Sequence, residues 1–413
     1  MKSSYRKIGS FIRLVDNRNK NLKITNLLGL TTQKKFIPSV GNIIGADMTN
    51  YKIISKNQFA CSLMQVRRDK KMPVALYNEN ESAIISQAYP IFEIINTKEL
   101  NPEYFMMWMT RSEFDREACF YAVGGVRGSL EWDDFCEMEL PVPDIKIQKE
   151  IVKEYTMIIN RIEINNHLIQ KCEEAAQAIY KNWFVDFEFP DENGKPYTSN
   201  GGELEYNEEL DFEIPKGWDT KQIQKIIPVK DGTHDSPQPT EKGFPLVTSK
   251  HIEPYKVNLD KTYNISSEDY EQVNKRSKVD TFDILFSMIG TVGNLCYVLD
   301  EEINFAIKNV GLFKTSTKRD IKEYILFYLK SDIVNRYHEQ NLIGGVQDYV
   351  TLTYLREIPC IVPKEKILNN FQSIIKPIVD EIYLKVKENN LNSTLKEILL
   401  SKMSKIIPIE VIQ

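Results

Sequence analysis

At 413 residues the chain exceeds what one hydrophobic core organises, so two or more domains are expected. Its 42% hydrophobic and 27% charged residues are those of a folded globular protein, and no apolar run approaches the ~20 residues that span a bilayer. A net charge of −5 would argue against nucleic acid, but the charge is segregated: Met1 to Ala75 carries 15 lysines and arginines against three acids, and Asp186 to Glu213 carries ten acids against Lys195 alone.

Met1 to Ser10 is polar and basic with no apolar signal region, and the six cysteines stand far apart without a CxxC. Reduced thiols in a cytoplasmic protein are therefore expected, with no zinc and no disulfide. Along the first third, short β-rich runs are predicted at Ala75-Leu76-Tyr77 and Pro90 to Ile95. Arg67, Arg68, Lys70 and Lys71 fall between two predicted strands, where a basic loop can meet phosphate or a base edge. An amphipathic helix follows over Pro102 to Glu117, then a Gly124-Gly125 loop carrying Arg127, then an apolar run from Leu140 to Pro143.

From Ile151 to Trp183 the residues Ile151, Tyr155, Ile158, Ile162, Asn165, Ile169, Cys172, Ala176, Ile179 and Trp183 are spaced four and three throughout. That is a coiled-coil seam with one polar position. Asp191 to Gly202 is acidic and rich in turn residues. The earlier pattern then returns at a constant offset. Tyr77, Tyr104, Gly124-Gly125-Val126 and Val142-Pro143 recur 220 positions later as Tyr297, Tyr324, Gly344-Gly345-Val346 and Val362-Pro363. The halves read as two copies of one whole α+β domain. In the second copy, strands are predicted at Leu295 to Leu299 and Gly311 to Phe313, and a helix over Ile321 to His338. A second seam runs through Phe371, Ile375, Ile378 and Ile382, meets Lys385, and is expected to resume out of phase at Leu391, Leu395 and Ile398. Antiparallel pairing of the two long helices would hold the domains apart.

Catalytic chemistry finds little footing. Asn101-Pro102-Glu103-Tyr104 is like the Asn-Pro-Pro-Tyr loop of amino-methyltransferases, but no glycine-rich SAM loop follows a strand. Asn101 as a helix N-cap with Pro102 at N1, matched by Asp320 before the second copy's helix, explains it better. Asp231-Gly232-Thr233-His234-Asp235 lacks metal-ligand spacing and reads as a polar loop whose Thr233 and His234 could bond base edges. Pro190-Asp191 lacks the rest of a nuclease core, and no Walker loop or nucleophile elbow occurs. Further candidate DNA contacts are Lys250, His251, Thr291, Asn294 and Gln347. Gln347 stands in the Gly-Gly loop where the first copy has Arg127, and Arg favours guanine whereas Gln favours adenine.

Several segments carry a family resemblance: Val15-Asp16-Asn17-Arg18-Asn19, Lys35-Phe36-Ile37-Pro38-Ser39, Tyr180 to Phe187, Ile214-Pro215-Lys216-Gly217-Trp218, Asp231 to His234, and Leu395 to Met403. With the repeat, the chain resembles the specificity subunit of type I restriction-modification enzymes over nearly its whole length. The resemblance implies an α+β fold, with two similar target-recognition domains separated by two long antiparallel coiled-coil helices. The recognition domains are then 1–144 and 214–363, the central helix 145–190, the acidic linker 191–213 and the C-terminal helix 364–413. It further implies a non-catalytic chain without cofactor that reads a bipartite double-stranded DNA site, one domain per half. Methyltransferase subunits, expected as two, and restriction or motor subunits would be its partners. The first copy departs from the pattern in lacking the Pro-x-Gly-Trp opening, and the copies diverge before Tyr77. The competing readings are a divergent standalone DNA methyltransferase and a coiled-coil scaffold with no DNA role; the basic block argues against the scaffold.

Overall fold

The computed structural model describes residues 5–39, 47–122, 128–341 and 349–405. The chain divides into two units, Met1–Glu163 with Asn389–Gln413, and Ile164–Glu388.

In the first unit, a four-stranded antiparallel sheet has the order Ile12–Val15, Ile91–Ile94, Gln58–Cys61, Val74–Tyr77. The sheet is buried on both faces: Ala60, Tyr77 and Ile91 pack into one core and Phe59, Cys61, Val74 and Phe92 into another, where Phe59 and Phe92 stack at 5.0 Å and Phe105 and Phe135 close over them. A second sheet holds Leu27–Leu30 parallel to Ala83–Ile85, with Phe36–Pro38 and Lys52–Ile54 at its edges. Tyr5–Lys7 pairs with Glu139–Pro141.

The second unit repeats the main sheet strand for strand. Its main sheet has the order Val229–Asp231, Val310–Phe313, Ile284–Ser287, Leu295–Tyr297. Its other sheet again has a parallel pair, Phe244–Val247 with Ala306–Ile307, flanked by Tyr263–Ile265. Asp219–Gln222 pairs with Pro359–Val362. Single bonds repeat as well. Tyr104 Oη donates to the Pro141 carbonyl at 3.1 Å, and Tyr324 Oη to that of Ile361 at 2.7 Å, both pairs offset by 220. One difference lies beside the parallel pair: the first unit adds the strand Lys52–Ile54, whereas in the second the helix Ser267–Ser277 packs against Ala306–Ile307.

The helix expected over Pro102 to Glu117 is two helices, Pro102–Thr110 and Ser112–Tyr121, separated by Arg111 in extended conformation. The helix expected over Ile321 to His338 breaks at the matching place, into Lys322–Leu329 and Asp332–Asn341. A break of one or two residues turns the chain yet leaves the apolar spacing nearly unchanged, so periodicity runs straight across it. Asn101 is the N-cap, its Oδ1 accepting from Tyr104 N at 2.9 Å, with Pro102 at N1. In the second copy the cap position falls on Ile321, not Asp320, and Ile321 has no side-chain oxygen to offer.

Ile145–Phe184 is one unbroken helix of 40 residues, and Glu365–Lys402 another of 38. The predicted seam of the first faces inward, with Asn165, Ala176 and Trp183 buried. In the second unit, Phe371 lies 4.8 Å from Phe184, while Cys172 sits in the field of Glu381 and Lys385, so the helix segments there run antiparallel. In the first unit, Leu400 and Met403 share a core with Ile151 and Tyr155, and Lys396 acts on Tyr155, which is again antiparallel.

The second helix corrects the expected phase slip. Its four-three seam continues without interruption through Lys385, Asn389, Asn392, Lys396, Leu399 and Met403, all at least partly buried. Leu391, Leu395 and Ile398 are 62%, 51% and 45% exposed and form a separate apolar stripe. Polar residues hold four consecutive seam positions, so a reading that follows apolar residues leaves the seam and picks up the stripe.

Candidate nucleic-acid interface

In the first unit, Val15 stands opposite Ile91 and Cys61 N donates to the Pro90 carbonyl, so the segments after residues 15 and 61 leave the same end of the main sheet. The 62–73 connection contains a one-turn helix, Val66–Asp69, bounded by Gln65 and Lys70 with φ of 65° and 52°. Left-handed residues on both sides reverse the chain sharply. Val66 and Met72 are buried and root the connection in the core.

Asp115 fixes its far end: Oδ1 accepts from Met72 N at 3.0 Å and from Lys34 Nζ at 2.8 Å. Burial pushes the Lys34 ammonium below its ordinary value, and the Asp115 carboxylate opposes that push. At the near end, Gly128 O accepts from Arg67 N at 3.1 Å. Gly128 has φ +57°, and a Cβ there would stand 2.4 Å from Arg67 Cβ, so only glycine fits. Arg67, Arg68, Lys70 and Lys71 are therefore held on an anchored frame, outside the core. Of the four, only Arg68 is ion-paired among the described residues, to Asp69 at 2.7 Å. Arg127 lies outside the described residues.

In the second unit, Asp231 is opposite Gly311 and Ser287 opposite Val310, so segments 232–236, 288–294 and 308–309 converge at one sheet end. Thr233 N donates to Ile307 O at 3.0 Å, and Asn309 N donates to Thr233 O at 3.1 Å. Gly232 allows this approach, since a Cβ there would lie 2.3 Å from Ile307 O. His234 is exposed, with Nδ1 2.8 Å from Asn309 Oδ1 and Nε2 2.9 Å from Asp231 Oδ2. Asp231 is buried, and its Oδ1 accepts from Arg276 Nη2 at 2.8 Å, while the same nitrogen reaches Gly232 O at 2.9 Å. One buried carboxylate thus orients two exposed basic side chains.

Thr291 and Asn294 stand in the 288–294 turn, next to Gly290 and Gly293 with φ of 80° and 96°. Exposed Ile289 bridges to exposed Tyr349 beside them. Lys250 is exposed in the turn Ser249–His251, which is tied in by a bond from Ser249 Oγ to Asn309 O. His251 is placed differently from the other candidates. It is 4% exposed, its Nδ1 accepts from Thr248 N at 3.0 Å as part of a capping box, and burial followed by the Lys250 charge holds it below its ordinary value. Gln347 lies outside the described residues.

The structure thus gathers Thr233, His234, Lys250, Thr291 and Asn294 in the second unit, and the four basic residues of 67–71 at the matching end in the first. Sequence reasoning missed Arg276 and Asn309, which reach Asp231 and His234 from 45 and 75 residues away; no local pattern marks them. Among the described residues no group of three His, Cys, Asp or Glu could hold a metal ion, and no helix is long and apolar enough to cross a membrane.

Comparison with known proteins places this architecture. Residues 10–174 match the family described as type I restriction modification DNA specificity domain. The chain is 26% identical over 313 residues to the specificity subunit of type I restriction enzyme MjaIX from Methanocaldococcus jannaschii, covering 73% of this chain and 67% of that one. It is 24% identical over 170 residues to the HindI specificity subunit of Haemophilus influenzae, covering 41% of this chain and 37% of that one. The fold matches the crystal structure of a type I restriction-modification S subunit from M. genitalium with a TM-score of 0.51 at 16% identity, over 97% of this chain and 95% of that one. The chain thus matches the type I restriction modification DNA specificity domain over residues 10–174, is similar in sequence to specificity subunits of type I restriction enzymes, and shares its fold with an S subunit.

Proposed function

We propose that this chain reads a bipartite double-stranded DNA target, one copy per half-site, and leaves the chemistry to methyltransferase subunits docked on its long helices. The observation that carries the reading is the duplication. Two domains with one strand order present different polar and basic side chains at the same sheet end: Arg67, Arg68, Lys70 and Lys71 in one, and Thr233, His234, Thr291 and Asn294 in the other. A common frame with exchanged loops is what reading two different half-sites requires. The recognition domains are 1–144 and 214–363, the first followed by the helix Ile145–Phe184 and the acidic segment 191–213, the second by the helix Glu365–Lys402. The exposed stripe Leu391, Leu395 and Ile398 supports docking of methyltransferase helices, expected as two subunits, and restriction or motor subunits complete a cytoplasmic complex.

Mapping methylated bases in cells with and without this chain tests the reading: one split motif should vanish with the chain. Replacing Thr291 and Asn294 by Ala should relax one half of that motif only. Methyl transfer from radiolabelled SAM by the purified chain alone would establish the standalone methyltransferase instead. Spacing has its own test, because one heptad added to each long helix adds ~10 Å of helix per copy and keeps the seam. The gap between half-sites should lengthen while both halves keep their bases.

A further inference from the structure

We propose that Lys230, Lys275, Arg276 and Arg356 form a phosphate-holding groove of the second domain that grips the DNA backbone beside the base-reading loops. The inference rests on the reading of the chain as a DNA-recognition subunit. These residues line one cavity of about 610 Å³, with Gln272 between them. They come from three distant parts of the sequence: the strand Val229–Asp231, the helix Ser267–Ser277 and the helix Leu352–Glu357. The helix that supplies Lys275 and Arg276 is the element by which the second copy departs from the first, and it packs on the parallel strand pair.

Charge balance in the groove points to an anion. Asp231 is its one lining acid, and that carboxylate is already shared between Arg276 and His234. Among the described residues, Lys230, Lys275 and Arg356 make no ion pair. Lys275 Nζ donates only to Gln272 Oε1 at 3.0 Å, and Arg356 Nε to the Val229 carbonyl at 3.1 Å. Cations drawn together in a concave site with a single, committed acid repel one another and raise the local positive potential, which an anion relieves.

Geometry selects a backbone phosphate rather than a base. The Nη2 of Arg276 is committed to Asp231 and Gly232, which leaves Nη1 as a forward donor and removes the two-nitrogen fork that guanine needs. The bond to Gly232 O also places this arginine at the root of the loop that carries Thr233 and His234. Contacts to phosphate set the register in which neighbouring side chains meet base edges.

The test uses the full chain assembled with its methyltransferase subunits, a synthetic duplex carrying the methylated motif, and a random-sequence duplex. The probe variant is Lys230→Ala with Lys275→Ala, the first residue partly buried and the second exposed, with Arg276→Ala measured separately. The double variant should weaken binding to both duplexes by a similar factor and lower the log–log salt slope by about 0.9 for every phosphate it no longer holds. The methylated motif should stay the same. An unchanged slope while the wild type binds DNA would overturn the groove alone; a wild type that binds neither duplex would overturn the recognition reading with it. A double variant that methylates a different motif would make these residues base readers and overturn the assignment. Inorganic phosphate at matched ionic strength separates the sources: loss of phosphate binding with duplex binding intact would make this a free-anion site, against the proposal.

Discussion

The two copies share a skeleton and differ in how each braces the sheet end that carries its candidate DNA contacts. In the first copy a buried ion pair, Lys34 with Asp115, fastens the 62–73 connection from below. The second copy keeps its buried pair, Lys314 with Asp283 at 2.5 Å, at the opposite end of the main sheet, and braces its loops with the half-hidden set of Asp231, Arg276 and His234. An acid near the end of the first strand is exposed in the first copy, where Asp16 follows the strand and pairs with Arg18 at 2.8 Å, and buried in the second, where Asp231 is the strand's last residue. Loops can therefore be exchanged between copies only together with their supports.

The largest effect should come from Asp115→Ala, which strands the buried Lys34 ammonium and should cost about 3–5 kcal/mol. Hydrogen exchange should show the loss in the first unit alone, accompanied by weaker DNA binding. Asp283→Ala should cost a similar amount in the second unit and leave DNA affinity alone. If both variants lose DNA binding equally, the proposed division between the two braces is wrong.

Next comes Arg67→Ala, Arg68→Ala, Lys70→Ala and Lys71→Ala in one chain. The salt slope of DNA binding should fall by about 0.9 per phosphate contact, up to roughly 3.6. A slope equal to that of the wild type would make the 67–71 segment a solvated face.

A smaller effect separates the units by pH. All four histidines, His167, His234, His251 and His338, belong to the second unit. Burial holds His338 and His251 below the ordinary 6.5. As pH falls through about 6.5 the unfolded chain takes up protons that these folded imidazoles refuse, so stability is lost on acidification. Hydrogen exchange at pH 7.5 and 5.5 should show protection falling in the second unit first, and loss confined to the first unit would refute this.

The smallest effect is Asn101→Ala, which removes the cap of Pro102–Thr110 at a cost of about 1 kcal/mol. The second copy's helix has no such cap to lose, and hydrogen exchange of Asn101→Ala should show the loss in the first unit alone.

Much of this fold was legible in the sequence because its clearest signals are periodic or repeated. The 220-residue offset located both copies, and the first helix runs unbroken through the whole seam from Ile151 to Trp183. Upstream of Tyr77 the offset drifts, which is why the copies looked unlike there. Leu14 corresponds to Lys230 and Phe59 to Leu285 in the sheet register, offsets of 216 and 226. Insertions of a few residues in the loops erase a repeat to the eye but leave the strand order intact. Site residues were legible only where a loop advertised itself by glycine or by a run of charge. Arg276 and Asn309 carried no such sign, because their importance comes from meeting groups remote in sequence. His251 looked like His234 in sequence and differs through burial alone.

Tyr5 Oη donates to the Ser404 carbonyl at 3.2 Å, and Arg111 bonds the hydroxyl of the same serine. Residues 399 positions apart are thus neighbours in one unit, so a chain in which the two repeats are translated in the other order should reach the same fold. A gene rearranged so that the polypeptide opens within the acidic segment, with a short bridge joining residues 405 and 5, would encode the same neighbours in both units. Such a circular permutant offers a way to exchange recognition domains as cassettes.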